Sequence, residues 1–333
     1  MKVDHKIILA VLIGILAFIN IIGNALTCIV VKRTRSLHIP MYYLLVNLCV
    51  ANIIMAMFSV AMYIFSLLYQ HPNGIVGNYL CKFVTGETIF WIGGFTSGFS
   101  LAVIAYERYR AVVNPHDLSA RRLNPKRLKI VLVICWGGAV LLNIPHLYTS
   151  QVREIDGQPV GCTEKWEGKI EGKVWSIVLV FITFLSPLAA VTLLYSLTVH
   201  HLFKGQRQIV DISQLAVTKV RKKITVNLIA ITVLFALCWT LDGVTYIYIQ
   251  FHSSQQMTVT RKIAILLVCL NSAMHPFLCA FTSQDIRRAL KRIICRGTLN
   301  SVDTRADFQR TSRRLANSQN ASKLDHIDTW ITG

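Results

Sequence analysis

Charge is what this sequence has least of. Only 15% of its residues are charged while 53% are hydrophobic, and the mean hydropathy is +0.50. A soluble domain carries about a quarter charged residues, so this chain could not cover itself with a polar surface, and a soluble globular protein is excluded. Acidic residues are the scarcer sign, 16 against 35 Lys and Arg, giving a formal charge of +19. Such an excess can mark a nucleic-acid binder. Here the basic residues fall mostly between apolar runs rather than on one polar face, so no nucleic-acid partner is expected. Cys-x-x-Cys pairs and His–Cys clusters with zinc spacing are also missing, and neither a metal nor a cofactor is expected. There is no soluble domain, long linker or internal repeat.

What is present is long apolar runs. About 20 apolar residues cross a bilayer core, and seven stretches qualify: 7–31, 41–69, 79–112, 128–148, 174–202, 223–250 and 261–281. The first begins like a secretion signal, but its apolar run continues to Val31, too long for one. The expected fold is an all-α membrane protein, a bundle of seven spanning helices. Residues 1–6 form a short outer N-terminus and 7–281 the bundle. Six of the nine cysteines lie well inside the runs and read as small hydrophobic residues, while Cys81, Cys162 and Cys295 sit at or beyond run ends.

The connections set the orientation. Segment 32–40 carries Lys32, Arg33 and Arg35, segment 113–127 carries Arg121, Arg122, Lys126 and Arg127, and segment 203–222 carries Lys204, Arg207, Lys219, Arg221 and Lys222. These basic loops belong in the cytosol, which puts the N-terminus outside and the C-terminus inside. Cys81 and Cys162 then face the oxidising side, where a disulfide persists; two free thiols are the alternative. Asp156–Gly157 lies between Val- and Ile-containing runs and predicts a hairpin. A bond to Cys81 would pin that hairpin over the mouth of the bundle. The third run ends in Glu107, Arg108 and Tyr109, an expensive charged pair at a membrane boundary and therefore a functional candidate.

After Phe281, residues 282–296 place Ile286, Leu290, Ile293 and Ile294 on one face and Arg287, Arg288, Lys291 and Arg292 on the other. This predicts a short amphipathic helix on the inner membrane surface, with Cys295 a candidate for lipidation and an unmodified thiol as the alternative. Residues 297–333 are polar without apolar period and are expected to be a disordered cytosolic tail.

Several residues inside the runs follow one pattern in one order: Gly23–Asn24, Asn47-Leu48-Cys49-Val50-Ala51-Asn52, Glu107–Arg108–Tyr109, Trp136, Pro187 with Tyr195, Phe235 with Cys238–Trp239, and Asn271–Ser272 with His275–Pro276. Together they resemble the rhodopsin-like (class A) G-protein-coupled receptors, from the first run to Cys295. The resemblance implies a receptor at the plasma membrane rather than an enzyme. Glu107, Arg108, Tyr109 and Tyr195 would meet a heterotrimeric G protein. Asn24, Asn52, Ser97, Pro187, Phe235, Trp239, Asn271, Ser272, His275 and Pro276 would form the activation switch, moving the sixth helix outward. Arrestin, receptor kinases and membrane lipid are the other partners it implies.

The departures from the family pattern have consequences of their own. Asn52 stands where the family has Asp, so a sodium site should be weak or absent. His275 replaces an Asn and Cys279 a Tyr, and a neutral, hydrogen-bonded His275 is expected. Leu241 replaces the proline after Trp239, so the sixth helix should bend less or at Gly243. The acid that often pairs with the third-helix arginine would fall near Arg221, which is basic. Arg108 is therefore expected to pair with Glu107 alone, with appreciable basal activity. Cys81 lies about two residues further from Arg108 than the family norm, which leaves the outer third helix ambiguous.

The outer cavity should be lined by Glu87, Thr88, Phe90, Trp91 and Gly94, with Asp242, Gly243, Tyr246, Arg261, Lys262 and Ile265 opposite. The position of the amine-binding Asp holds Phe90 or Thr88, which argues against a monoamine. Cys269 stands where an opsin has its lysine, which argues against retinal. Glu87 and Asp242 either receive a ligand's basic group, or sit at a wet rim and in an internal hydrogen bond respectively. A small peptide is the favoured ligand, with a lipid, another non-amine small molecule or constitutive signalling as alternatives. A transporter remains the competitor from another class, although no repeat or pore-suited ring of charges supports it. His200 and His201 lack the i, i+4 spacing of a zinc enzyme.

Overall fold

The computed structural model describes residues 3–113, 124–206, 212–252, 258–282 and 284–296. Its apolar runs are helical because a backbone in lipid must satisfy its own hydrogen bonds. The helices are α1 (Val3–Arg33), α2 (Pro40–Leu68), α3 (Gly74–Leu80), α4 (Thr88–Val113), α5 (Pro125–Thr149), α6 (Lys169–Val180), α7 (Ser186–Gln206), α8 (Ile212–His252), α9 (Thr258–Thr282) and α10 (Gln284–Arg296). Seven segments among the described residues are long and apolar enough to cross a membrane, with α3 and α4 forming the third and α6 and α7 the fifth. The bundle is a multi-pass membrane protein. Helix α1 begins at Val3, ahead of the expected Ile7. The tail 297–333 and its expected disorder lie outside the described residues.

Local chemistry fixes several boundaries. Asn124 caps α5 by accepting from Lys126 N at 3.1 Å, with Pro125 at the first helical position, where its missing N–H costs nothing. Between α5 and α6, strands β1 (Ser150–Ile155) and β2 (Gln158–Glu164) form an antiparallel hairpin with an irregularity at Arg153/Glu154. Its two-residue turn uses Asp156 (φ 52°) and Gly157 (φ 72°), the left-handed pair such hairpins favour. The Cys81–Cys162 disulfide joins this hairpin to the third span with the Cα atoms 5.5 Å apart. Val152 N also donates to Asn78 Oδ1 on α3, at 3.2 Å.

The expected single third helix is interrupted. Residues Cys81–Thr85 widen into a π turn, and the chain then breaks at Gly86 and Glu87, whose φ is 72°. A π turn holds one residue more than an α turn, so this device takes up part of the extra spacing between Cys81 and Arg108. Gly86 is required there, because a Cβ would run into the Cys81 carbonyl. The fifth span widens similarly at Phe181–Leu185, just before Pro187, which has no N–H to return to the preceding turn.

One aromatic core runs through the middle of the bundle, including Phe90, Trp91, Phe95, Phe184, Phe235, Trp239 and Ile265. Close helix approach depends on small residues. A Cβ on Gly23 would lie 2.6 Å from Pro276 Cγ, so α1 meets α9 only because that position is bare. Helix α8 runs unbroken for 41 residues, which fits the absence of a proline after Trp239.

Candidate functional site

A cavity opens among the hairpin, α4, α5, α6, α8 and α9. One side is apolar, made by Trp91, Phe95, Leu179, Val180, Phe184 and Trp239; the other carries Asn143, His146, Glu164, Asp242, Tyr246 and Arg261. This combination of an apolar body with a few polar groups is what a ligand pocket needs.

Two charged clusters organise the polar side. Arg261, from the first turns of α9, ion-pairs with Asp242 on α8 and, at 3.4 Å, with Glu87 at the head of α4. Its guanidinium lies 5.1 Å from the ring centre of Trp91 and 5.4 Å from that of Tyr246, distances at which a cation is drawn to an aromatic face. The left-handed backbone at Glu87 aims its carboxylate inward, where it also accepts from Trp91 Nε1 at 2.9 Å.

The second cluster ties the hairpin to two helices. Glu164, at the end of β2, meets His146 Nδ1 at 2.6 Å. It also accepts from Gln250 Nε2 at 2.8 Å, Tyr246 OH at 3.3 Å and Trp166 Nε1 at 3.3 Å. His146 Nε2 faces the Gly86 carbonyl. Both ring nitrogens therefore face acceptors, an arrangement fully satisfied only when both carry a proton. Burial works against charge on Glu164, but the hydrogen bond and positive field of His146 outweigh it and hold the carboxyl below its usual range.

Of the residues expected at this cavity, Trp91, Asp242, Gly243, Tyr246 and Arg261 line it. Glu87 reaches it through Arg261. Thr88, Phe90 and Ile265 do not line it: at 1%, 0% and 1% exposure they are buried inside the bundle, the first two where the break at Gly86–Glu87 sets the facing of α4, the third on α9. Gly94 packs against Trp239 and Lys262 is off the wall. Asp242 follows its second reading, an internal hydrogen bond, with Arg261 as the partner that neither reading named. His146 and Glu164 were missed altogether. Their signals were faint: a histidine after Pro145 near a span end, and an acid two residues past Cys162.

Below the cavity, Trp239 packs on Phe235 at 5.1 Å between ring centres, and Phe235 on Phe184 at 5.9 Å. Phe235 also borders a second, small void shared with Pro187 and Tyr195. Beside this column is a polar network without a charge. Ser97 Oγ donates to Asn52 Oδ1 at 3.0 Å, Asn52 Nδ2 to Asn24 Oδ1 at 3.4 Å, Asn24 Nδ2 to Asn20 Oδ1 at 2.8 Å and Asn20 Nδ2 to Ser272 Oγ at 2.7 Å. Trp136 is placed by Asn47, which accepts from its indole at 2.8 Å and donates to Ser100.

At the far end of the third span, the expected Glu107–Arg108 pair does not form: among the described residues no ion pair joins them, and Glu107 Oε1 and Arg108 Nε are buried without partners. Adjacent residues on a helix point about 100° apart and do not face each other. Tyr42, Tyr195 and Asp285 stand around Arg108, with Tyr42 OH donating to Asp285 at 3.4 Å. Tyr109 lies 6.3 Å from the His201 ring. His275, expected to be hydrogen-bonded, has its Nε2 buried without a partner, as does Asn271 at Oδ1. The side chains of Arg221 and Cys295 lie outside the described residues. His71 approaches both Cys81 and Cys162, but those sulfurs are bonded to each other and are not available to a metal.

Relatives fit this architecture. The chain is 25% identical over 350 residues to the tachykinin-like peptides receptor 86C of Drosophila melanogaster, covering 98% of this chain and 66% of that receptor. It therefore spans just under two thirds of that receptor's length. It is 23% identical to galanin receptor type 1 of Mus musculus, over 87% of this chain and 82% of the relative. It is 28% identical to somatostatin receptor type 4 of Rattus norvegicus, over 85% and 71%. Residues 23–278 match the family described as the 7 transmembrane receptor (rhodopsin family), and the chain belongs to that family.

Proposed function

We propose that the chain is a plasma-membrane receptor, N-terminus outside, that converts binding of a small extracellular peptide into activation of a heterotrimeric G protein. The observation that supports this most directly is the aromatic column. Trp239 both walls the cavity and packs on Phe235, and Phe235 borders the void that reaches Tyr195 near Arg108. A ligand that presses on Trp239 therefore acts on α8 through contiguous packing. A ligand shifts such an equilibrium by binding one state more tightly than the other. The relative named for tachykinin-like peptides supports the peptide class.

On this reading a partner helix enters beside Arg108, in the helix-in-groove mode. The cytosolic tail takes receptor kinases and arrestin, and Cys295 takes a lipid beside the membrane. The apolar wall of the cavity favours a second reading, in which the ligand is a non-amine small molecule or lipid. Cells expressing the full chain with a promiscuous G protein separate these. The expected result is nucleotide exchange evoked by peptide pools, above an appreciable ligand-free level, both abolished by Arg108→Ala at equal surface expression. Response to lipid extracts with silence to every peptide pool would replace the ligand class. Solute uptake indifferent to Arg108→Ala would replace the receptor.

A further inference from the structure

The charges around the cavity define the chemistry of the ligand's anchoring group, provided the cavity is the ligand site, as the proposed function has it. Three carboxylates, Glu87, Glu164 and Asp242, face one guanidinium, Arg261, and one imidazole, His146. With Lys262 in the field of Glu87, the acids exceed the cations by one when the imidazole is neutral and match them when it is charged. Two of the cations are committed: Arg261 to Asp242 and Glu87, His146 to Glu164. An anionic ligand would find Arg261 already neutralised twice, whereas a cation meets the carboxylates that hold it.

The surroundings of Arg261 say more. Two aromatic faces and two carboxylates surround its guanidinium, the environment that best holds a planar cation. Two bonds of unequal standing hold it. Asp242 is the buried partner, its side chain 10% exposed and on the cavity wall, while Glu87, at 28%, sits towards the rim. The arginine side chain is long and enters from the end of α9, so it can retreat to Glu87 without leaving a charge unpaired.

We propose that the ligand is anchored by a basic group on an apolar stem, a guanidinium or an ammonium, which takes Asp242 in exchange for Arg261. The stem lies along Trp239 and Phe184. Exchange rather than addition keeps each buried charge paired, and an uncompensated buried charge is what such sites cannot tolerate. Exchange also removes the ion pair between α8, whose Trp239 floors the cavity, and α9.

The test uses the full chain in lipid nanodiscs and three matched probes: phenethylguanidinium, the neutral phenethylurea and the anionic 4-phenylbutyrate, with binding read by saturation-transfer NMR. The cation should bind about tenfold more tightly than either of the others, a difference of about 1.4 kcal/mol. Arg261→Gln removes the internal competitor and should tighten the cation, whereas a purely structural Arg261 would give loss. Asp242→Asn should abolish the preference, and Asp242→Glu should restore it, which separates lost charge from lost fold. Binding of the acid probe that disappears in Arg261→Gln would make Arg261 an anion receptor and overturn the exchange. Equal binding of all three probes, or of none, would overturn it too. No G protein takes part in this readout, so failure of the coupling experiment and failure of the anchor are seen separately.

Discussion

The hairpin end and the Arg108 end of the bundle hold their charges in opposite ways. At the hairpin end, Arg261, Asp242, Glu87, His146 and Glu164 are all in ion pairs. These pairs join α4, α5, β2, α8 and α9. In the other half, Glu107 Oε1, Arg108 Nε, Asn271 Oδ1 and His275 Nε2 are buried without a partner, each at a cost of about 1–3 kcal/mol. Between them lies an uncharged amide and hydroxyl network. Thr88 Oγ1, Thr96 Oγ1 and Trp239 Nε1 are unpartnered too, so the difference lies in the charged groups: ion-paired at the hairpin end, and at the other end Glu107 and Arg108 each with a buried atom left unmatched. A receptor needs this asymmetry, since a ligand must work against definite bonds and a partner must gain by completing unfinished ones.

The comparison can be broken from either side, the largest effect first. Asn52→Asp would put a carboxylate into the neutral network, with Ser97 and Asn24 as its neighbours. We expect a loss of about 3–5 kcal/mol, the cost of an unpaired buried charge, recovered as sodium is added. Thermal unfolding in nanodiscs with sodium or choline chloride measures it, and sodium-independence would show that the network cannot hold an ion.

Glu164→Gln attacks the hairpin end. It removes charge-assisted hydrogen bonds to His146, Tyr246, Gln250 and Trp166 and should cost about 1.5–3 kcal/mol. Because the folded protein holds this carboxyl below its ordinary value of 4.5, its stabilisation is complete above that value. It is lost as the pH falls through the folded-state value. The unfolding midpoints of wild type and variant should therefore differ at pH 7 and converge on acidification below 4.5; a constant gap would sink the ionic account.

The smallest effect tests packing away from both charged ends. Gly23→Ala must push Pro276 from its 2.6 Å approach, at about 1–2 kcal/mol in the overpacking range, seen as a lower unfolding midpoint. An unchanged midpoint would mean that α1 and α9 slide freely there.

Much of this was legible in the sequence. The apolar runs gave the spans to within a few residues at most ends, and Asp156–Gly157 gave the hairpin turn. Cys81 and Cys162 were the two cysteines left on the oxidising side, and they are bonded. The cavity was less legible. Thr88 and Phe90 are expected at it from one continuous third helix, and the π turn with its break at Glu87 turns them elsewhere; Ile265, on α9, packs into the aromatic core instead. Arg261 was expected at the mouth, but its partners come from 19 and 174 residues away, and no local pattern announces a pairing over such separations.

The sequence by itself determined that this chain spans a membrane with seven helices, since lipid leaves an apolar run of 20 residues little choice but to close its own hydrogen bonds. Its scattered motifs, read together, gave the family. Tertiary structure alone decided which charges meet: that Arg261 is shared between Glu87 and Asp242, that Glu164 of the hairpin reaches His146, and that Glu107 and Arg108, though adjacent, do not pair. The physical reason is that a helix fixes the direction of each side chain within a turn, while a charge chooses its partner across the bundle, where packing and one backbone break set the distance.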